Sequence, residues 1–180
     1  MRAVVGLGNP GPEYAATRHN AGFWLADALV ARWGFPPFRR GERVRFTEGA
    51  VDGIPVRVLK PTTYMNSSGA ALASLRADPT FDPARDLLIL VDDFQLPSGT
   101  FRLRSEGSSG GHNGLKSIEA ALQSQTYPRL RIGVGPLPEG VSDWSEYVLA
   151  PLDPEQVEQL EALLPQLADA VTKWVKEEAR

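Results

Sequence analysis

The segment Asp86–Val91, which reads DLLILV, constrains the fold more than any other stretch, because its aliphatic run leaves no polar face. Runs of this kind are typical of a central strand that is covered on both sides. Strand-like and helix-like patterns alternate along most of the chain, and Asp52-Gly53 predicts one hairpin. We therefore predict an α/β fold: a single domain with a mixed, mainly parallel, twisted sheet and helices on both faces.

Apolar periodicity and chain breakers predict the individual elements. Strands are predicted at residues 1–7, 44–50, 54–60, 86–91, 100–104 and 129–134, and helices at 21–33, 69–75 and 115–122. Asn20 is predicted to cap the first helix and Gly34 to end it. Residues 35–41 contain two prolines and are predicted to form a loop. An apolar stripe predicts an amphipathic C-terminal helix at about residues 153–178, in a domain that spans residues 1–180.

Charge is unevenly distributed along the chain. The formal net charge is -3, yet residues 1–138 hold 16 basic and 12 acidic residues, a net +4, and residues 139–180 carry a net -7. A local basic surface that faces phosphate is therefore compatible with the composition. The absence of cysteine excludes disulfides, thiolate zinc sites and a cysteine nucleophile. No apolar run approaches the ~18 residues of a membrane span, and no signal-peptide pattern precedes the first strand, so we expect a cytoplasmic protein without a membrane partner.

Two glycine-rich loops hold the only histidines of the sequence. Gly6–Asn20, GLGNPGPEYAATRHN, follows the first predicted strand and contains His19, and GSSGGHNG contains His112. Glycines permit tight turns and prolines stiffen the path, so the first loop is predicted to be rigid. Asp92 follows the aliphatic run. Because sites in parallel sheets form beyond the carboxyl ends of the strands, these three side chains are expected to lie close together.

Two familiar motifs match by chance. Gly6-x-Gly8-x-x-Gly11 fits the dinucleotide fingerprint, but two prolines interrupt the point where its helix must start. The stretch GSSGG at 107–111 fits the nucleophile elbow, but no histidine lies after His112 to complete the triad in that order. Two histidines without cysteine or HExxH spacing also predict no metal site.

The remaining polar residues favour hydrolysis of an acyl bond by water. A neutral histidine accepts a proton near neutral pH, and a carboxylate on its other nitrogen fixes the tautomer and stabilises the imidazolium. No serine or cysteine is well placed as a nucleophile, so water is the simplest one. Asparagine amides donate hydrogen bonds to a developing oxyanion or to peptide groups. The candidates are His19, Asp92, His112, Asn9, Asn66 and Asn113.

Taken as a whole, the sequence resembles the bacterial peptidyl-tRNA hydrolases. The resemblance rests on five motifs in this order: GLGNPGPEYAATRHNAG, KPTTYMNSSG, VDDFQLPSG, GGHNGLKSI and RLRIGVG. It covers the chain from Met1 to about Ala150. It implies an enzyme that needs no cofactor and that cleaves the ester between a peptide and the 3′ end of tRNA after abortive translation. It also favours a monomer.

The resemblance implies a role for each matching position. His19 would be the general base and Asp92 would orient it, while Asn9 would recognise an acylated amino group. The 3′ end of the substrate or its peptide would be contacted by Tyr14, Tyr64, Met65, Asn66, His112 and Asn113. Arg104 and Arg131 would clamp a tRNA 5′ phosphate.

Other interpretations of these residues remain open from sequence alone. His112 fits a structural hydrogen-bonding role as well as a direct one, Asp92 also fits a turn cap, and Asn66 a helix cap. Arg104 and Arg131 also fit ordinary solvent-facing strand residues. At the level of the whole chain, the alternatives are a non-catalytic RNA-binding relative and an NAD(P)-dependent oxidoreductase.

The sequence also departs from the family. Gln95 stands where an acidic residue is usual, the loop at 107–109 holds fewer glycines, and the C-terminus lacks the basic tail of longer members.

Overall fold

One seven-stranded sheet, in the order β2-β3-β4-β1-β5-β7-β6, organises the computed structural model, which describes residues 1–177. The strands are β1 (Arg2–Gly6), β2 (Arg39–Arg40), β3 (Val44–Val51), β4 (Ile54–Pro61), β5 (Leu87–Pro97), β6 (Phe101–Arg104) and β7 (Arg129–Gly135). The central strands β4, β1, β5 and β7 run parallel, and the outer pairings are antiparallel. This topology confirms the predicted α/β fold with a mixed sheet.

The connecting segments are α-helices and short 3-10 helices. The α-helices are α1 (Ala21–Trp33), α2 (Ala73–Arg76), α3 (Pro83–Asp86), α4 (Asn113–Leu122), α5 (Trp144–Leu149) and α6 (Pro154–Lys176). The 3-10 helices cover Pro12–Tyr14, Arg18–Asn20 and Met65–Leu72. Within the described residues, no helix is both long enough and apolar enough to cross a bilayer.

The long helix α6 corresponds to the predicted C-terminal helix. A capping box between Asp153 and Gln156 starts it, and Pro154 occupies its first turn. Residue 178, where the prediction ended, lies outside the described residues.

Strand β5 separates two apolar layers. Leu88 and Leu90 face the layer of α1 and α6, whereas Leu87, Ile89 and Val91 face the layer of α4 and the 3-10 helix Met65–Leu72. All five side chains are at most 1% exposed. Burial of each stabilises the fold by about 1.5–3 kcal/mol relative to exposure. The aliphatic run is therefore a central strand, as predicted.

The structure differs from two predicted elements. The segment 35–41 is not entirely loop, because Arg39 and Arg40 form β2 and pair with Phe46 and Arg45 of β3. The helix predicted at 69–75 begins earlier and is mostly 3-10, with α geometry only in α2. Gly69 packs directly against α4 and its amide donates to Ser117 Oγ at 2.8 Å, so tertiary packing decides the local conformation there.

Candidate active site

The two histidines converge on one buried carboxylate. His19 Nδ1 lies 2.9 Å from Asp92 Oδ2, and His112 Nε2 lies 2.8 Å from Asp92 Oδ1. The imidazole rings are 4.9 Å apart, centre to centre. Asp92 is 1% exposed and His19 is 5% exposed. The expected convergence of the first loop, the central strand and the second glycine-rich loop is thus present in the structure.

Helix α4 fixes the tautomer of His112. His112 is the N-cap residue, and its Nδ1 accepts the backbone amides of Gly114 and Leu115 at 3.0 and 3.3 Å. A nitrogen that accepts hydrogen bonds carries no proton, so the proton of this ring lies on Nε2 and is donated to Asp92. His112 therefore has both nitrogens engaged and supports the carboxylate.

The other carboxylate oxygen of Asp92 fixes the orientation and the tautomer of His19. Since Asp92 only accepts, His19 donates from Nδ1, and its Nε2 has no partner among residues 1–177 and can take a proton. Burial by itself lowers the pKa of His19, but the charge of Asp92 and its hydrogen bond outweigh burial, and the pKa is raised above 6.5. Burial by itself raises the pKa of Asp92, but the two histidines outweigh it and hold this pKa well below its usual range.

Close approach between α1 and the sheet brings His19 to this position. A Cβ on Gly22 would lie 2.5 Å from Leu90 O and 2.6 Å from Leu7 O, so only glycine lets α1 start this close to the end of β1 and to Leu90 of β5. The preceding residue in the turn, Arg18, is buried and donates to Tyr147 O at 3.0 Å. The His19 turn is therefore held between the sheet and α5.

Asn20 is the N-cap residue of α1, as predicted, but its side chain has another partner. Its side chain makes no capping hydrogen bond to α1. Instead Oδ1 accepts from Asn9 N at 2.9 Å and Nδ2 donates to Asn9 O at 3.0 Å. The side chain of Asn9 is fixed separately, because its Oδ1 accepts Met65 N at 2.7 Å. Asn20 therefore occupies the predicted N-cap position, but its side chain does not cap the helix, because the amide is committed to the first loop.

A cleft of about 240 Å³ opens on the exposed side of His19. Seven predicted site residues line it: Asn9, Tyr14, His19, Tyr64, Met65, Asn66 and Asn113. The rings of Tyr14 and Tyr64 meet edge to face at 6.2 Å. Asp92 and His112 are buried and do not line the cleft.

The structure resolves two of the open interpretations. Asp92 contacts the two histidines and does not cap a turn. The turn that follows is capped by Asp93, whose Oδ1 accepts Gln95 N at 2.8 Å. Asn66 is the second residue of its 3-10 helix and makes no capping bond, so that interpretation is wrong.

The two predicted phosphate-clamp arginines lie away from the cleft. Arg104 is exposed on β6, and Arg131 lies on β7. Arg131 donates to Ser108 O at 2.8 Å and lies 3.8 Å from Asp93. Both side chains are on the same face of the sheet, because Arg102, the register partner of Arg131, is two residues from Arg104. They form the β6–β7 edge of the sheet.

The histidine–aspartate cluster does not suit a metal ion. One atom from each of His19, Asp92 and His112 lies within 4.8 Å of the others. However, His112 Nε2 could ligate a cation only if the ring proton moved to Nδ1, which accepts the backbone amides of Gly114 and Leu115.

The two chance motifs fail geometrically as well. After Gly11 the chain forms the 3-10 turn Pro12–Tyr14, not the helix that a dinucleotide site requires. Ser109 is not among the residues that line the cleft, and its carbonyl accepts His112 N within the second loop.

Sequence reasoning missed one wall of the cleft. Residues of α5 line it: Trp144, Ser145, Val148 and Leu149. Trp144 stacks on Phe94 with ring centres 5.7 Å apart and an interplanar angle of 7°. Asp143 is a recognisable N-cap and signals that a helix starts there, but no local pattern shows that this helix faces His19.

An α/β sheet with a histidine held by a buried carboxylate at the base of a cleft is the architecture of an enzyme, and comparisons with known proteins identify the class as hydrolase. A family model described as peptidyl-tRNA hydrolase matches residues 3–180. The chain therefore belongs to the peptidyl-tRNA hydrolase family.

Individual relatives agree with this assignment. The chain is 45% identical to the peptidyl-tRNA hydrolase of Gemmatimonas aurantiaca, over 98% of this chain and 94% of that protein. It is 44% identical to that of a Roseiflexus species, over 98% and 81%. Among solved structures, the peptidyl-tRNA hydrolase of Acinetobacter baumannii is 33% identical and superposes with a TM-score of 0.89, covering 98% of this chain and 89% of that one.

Proposed function

We propose that this protein hydrolyses the ester bond between a peptide, or an N-blocked amino acid, and the 3′-terminal ribose of tRNA. The single observation that carries the mechanism is the 2.9 Å hydrogen bond between His19 Nδ1 and Asp92 Oδ2, at the base of the cleft. It leaves His19 Nε2 without a hydrogen-bond partner within residues 1–177, and His19 lines the cleft.

In this mechanism His19 Nε2 accepts a proton from water as the water oxygen attacks the ester carbonyl. The resulting tetrahedral oxyanion collapses and breaks the bond to the ribose oxygen. The imidazolium then returns its proton to that leaving oxygen, which restores the neutral base. Asp92 stabilises the imidazolium through charge and keeps the tautomer fixed.

The side chain of Asn9 explains how the enzyme would select substrates whose amino group is acylated. Because its Oδ1 accepts Met65 N, its Nδ2 is left to donate, and within residues 1–177 this nitrogen has no hydrogen-bond acceptor. An acylated amino group presents a carbonyl oxygen to this donor, whereas a free ammonium presents only donors. A mismatched donor pair leaves polar groups unpaired, which costs about 1–3 kcal/mol.

The other cleft residues complete the proposed substrate site. Asn66 and Asn113 donate to the ester or peptide groups, Met65 provides apolar surface, and Tyr14 and Tyr64 contact the 3′ end or the peptide. His112 acts through Asp92. Arg104 and Arg131 are proposed to hold the tRNA 5′ phosphate at the β6–β7 edge. All of these residues belong to one chain, so we propose that the enzyme acts as a monomer. Peptidyl-tRNA arises from translation, so we propose that the enzyme acts in the cytoplasm.

The test is release of an N-acetylated amino acid from tRNA, compared with release from the same tRNA carrying the unblocked amino acid. We expect hydrolysis of the acetylated substrate only, with no dependence on added metal. Asn9→Asp, which replaces the donor by an acceptor, should reduce the rate on the acetylated substrate. Equal rates on both substrates by the unaltered enzyme would refute the role of Asn9.

A further inference from the structure

A second and larger groove lies on the other side of Asn9. Its volume is about 500 Å³, against 240 Å³ for the cleft. Its walls come from the first loop, α1 and the β3–β4 hairpin, and include Asn9, Phe23, Trp24, Arg45 and Lys60. Asn9 also lines the cleft, so the groove begins next to the site that holds His19.

A row of basic residues crosses the sheet from this groove to its edge. Arg40 of β2 is the register partner of Arg45 of β3, and Arg45 is the register partner of Lys60 of β4. Residues directly opposite each other point to the same face of a sheet. With strands about 4.8 Å apart, the outer members of the row are separated by roughly 10 Å. We call Arg40, Arg45 and Lys60 the basic row.

The basic row faces the α1 side of the sheet. Lys60 Nζ lies 2.6 Å from Asp27 Oδ1 of α1 and 4.2 Å from the ring centre of Phe38. Within residues 1–177, Lys60 is the only member of the row with an acidic partner. Arg40 and Arg45 are exposed, and no carboxylate of the described chain pairs with them.

On the opposite face of strands β2, β3 and β4, the arginines have acidic partners. Arg39 and Arg57 each form an ion pair with Glu48, at 2.9 and 3.2 Å, and each guanidinium lies over the ring of Phe46. Like charges directly opposite each other destabilise a sheet. On this face both arginines therefore share one carboxylate, whereas on the other face Arg40 and Arg45 are adjacent cations that no carboxylate of the described residues pairs with, which is the arrangement that an anionic ligand stabilises.

We propose that the basic row and its groove bind the phosphate backbone of an RNA strand, namely that of the substrate tRNA. This inference rests on the proposed function. Cations in a line match the regular charges of a polynucleotide, whereas a peptide of arbitrary sequence carries no fixed charge pattern. Phe23 and Trp24 add aromatic surface, which proteins that bind single-stranded RNA combine with a basic groove. The row lies at the sheet edge opposite to Arg104 and Arg131.

The experiment measures binding of uncharged tRNA by fluorescence anisotropy over a series of salt concentrations. The test variant is Arg40→Gln/Arg45→Gln, and the control is Arg39→Gln/Arg57→Gln, which removes the same charge from the other face. We expect the test variant to bind several-fold more weakly. Its slope of log K against log salt should fall by about 0.7–0.9 for each phosphate that the variant no longer neutralises. The control should keep the slope of the unaltered protein.

The outcomes separate this inference from the proposed function. Hydrolysis of N-acetylaminoacyl-tRNA by the unaltered protein tests the function, whereas binding of uncharged tRNA tests the row. Thermal unfolding verifies that the double variant folds, and Arg40→Gln alone provides a milder change at the sheet edge. The inference would be overturned if Arg40→Gln/Arg45→Gln and Arg40→Gln alone both bound uncharged tRNA with unchanged affinity and an unchanged salt slope. A defect confined to substrates with acidic peptides would also overturn it, because the groove would then hold the peptide.

Discussion

Asn20 holds the backbone of Asn9 with both ends of its side-chain amide, at 2.9 and 3.0 Å. The Asn9 side chain is thereby presented next to His19 without any bond from Asn20 to its amide group. Asn20 is 1% exposed, so both hydrogen bonds are sheltered from water. Correct placement of Asn9 thus depends on a residue that does not line the cleft.

Asn20→Asp should therefore damage both stability and activity. The carboxylate can still accept from Asn9 N, but its second oxygen would face Asn9 O without a proton between them. An unsatisfied buried group costs about 1–3 kcal/mol, and more if it is charged. Urea unfolding measures this loss, and the rate on N-acetylaminoacyl-tRNA should fall in parallel. Gln166→Glu, the same chemical change on an exposed position of α6, should leave both unchanged.

His112 has two separable tasks, and two substitutions distinguish them. His112→Asn keeps a side chain favoured at a helix N-cap but loses the proton donor to Asp92, whereas His112→Ala loses both. Loss of a hydrogen bond to a charged group costs about 1.5–3 kcal/mol, and loss of the cap about 1 kcal/mol more. Urea unfolding should therefore rank His112→Ala as the less stable variant, and equal stabilities would contradict the capping role.

The pH dependence of the two His112 variants should be the same. Without the donor from His112, the charge of Asp92 acts on His19 alone and raises the pKa of His19 further. The acid side of the kcat/KM profile should therefore move to higher pH by a similar amount in both variants. A profile identical to that of the unaltered enzyme would mean that His112 does not act through Asp92.

Asp92→Asn should move the acid side of the rate profile in the opposite direction. In the proposed mechanism His19 Nε2 accepts a proton from water and must be unprotonated, so the rate should fall as pH drops through the pKa of His19. Asp92 raises that pKa, and without its charge only burial remains, which lowers it. We expect the acid limb of kcat/KM to shift to lower pH and the plateau to fall by at least ~100-fold. A reduced plateau with an unshifted limb would assign Asp92 a purely structural role.

The free energy of unfolding should also depend on pH through the carboxylate of Asp92. The pKa of Asp92 in the folded state lies below its ordinary value of 3.8, so the unfolded chain binds the proton first as pH falls. The stabilisation is therefore complete well above pH 3.8 and is lost progressively as pH drops toward the folded-state pKa. His19 has the opposite sign: its raised pKa stabilises the fold below pH 6.5 and ceases to do so as pH rises through the raised value.

Urea unfolding at pH values from 3 to 8 tests this linkage. The free energy of unfolding of Asp92→Asn should depend less steeply on pH below about 5 than that of the unaltered protein. Glu106→Gln, which removes an exposed carboxylate, is the matched control and should keep the original slope. Equal slopes for the two variants would contradict the low pKa of Asp92.

Much of this architecture could be predicted from the sequence because it follows from local rules. The aliphatic run before Asp92 is typical of a covered strand, and a rigid loop after β1 is expected to place His19 at the strand ends. The side-chain contacts that sequence reasoning did not predict depend on tertiary packing. Asn20 satisfies the ordinary rule for a helix cap, but a closer competitor, the backbone of Asn9, takes its amide.

Other features depend on strand register or on the approach of distant segments. The hairpin at Asp52-Gly53 was predicted, but the basic row also needs β2, which is only two residues long and follows a pair of prolines. Trp144 faces the cleft because α5 packs on the His19 turn through Arg18, a contact between residues 129 positions apart. Arg131 donates to Ser108 O, which lies in a loop, and the sequence pattern of a loop does not predict its conformation.

The central claim is that His19, held by Asp92, turns water into the nucleophile. Single-turnover hydrolysis of N-acetylaminoacyl-tRNA by His19→Ala, with urea unfolding to verify that the variant is folded, tests it most directly. We predict a rate reduced by about 10²–10⁴-fold, without the acid limb that the unaltered enzyme shows. A folded His19→Ala variant that hydrolyses this substrate at close to the original rate would contradict the account.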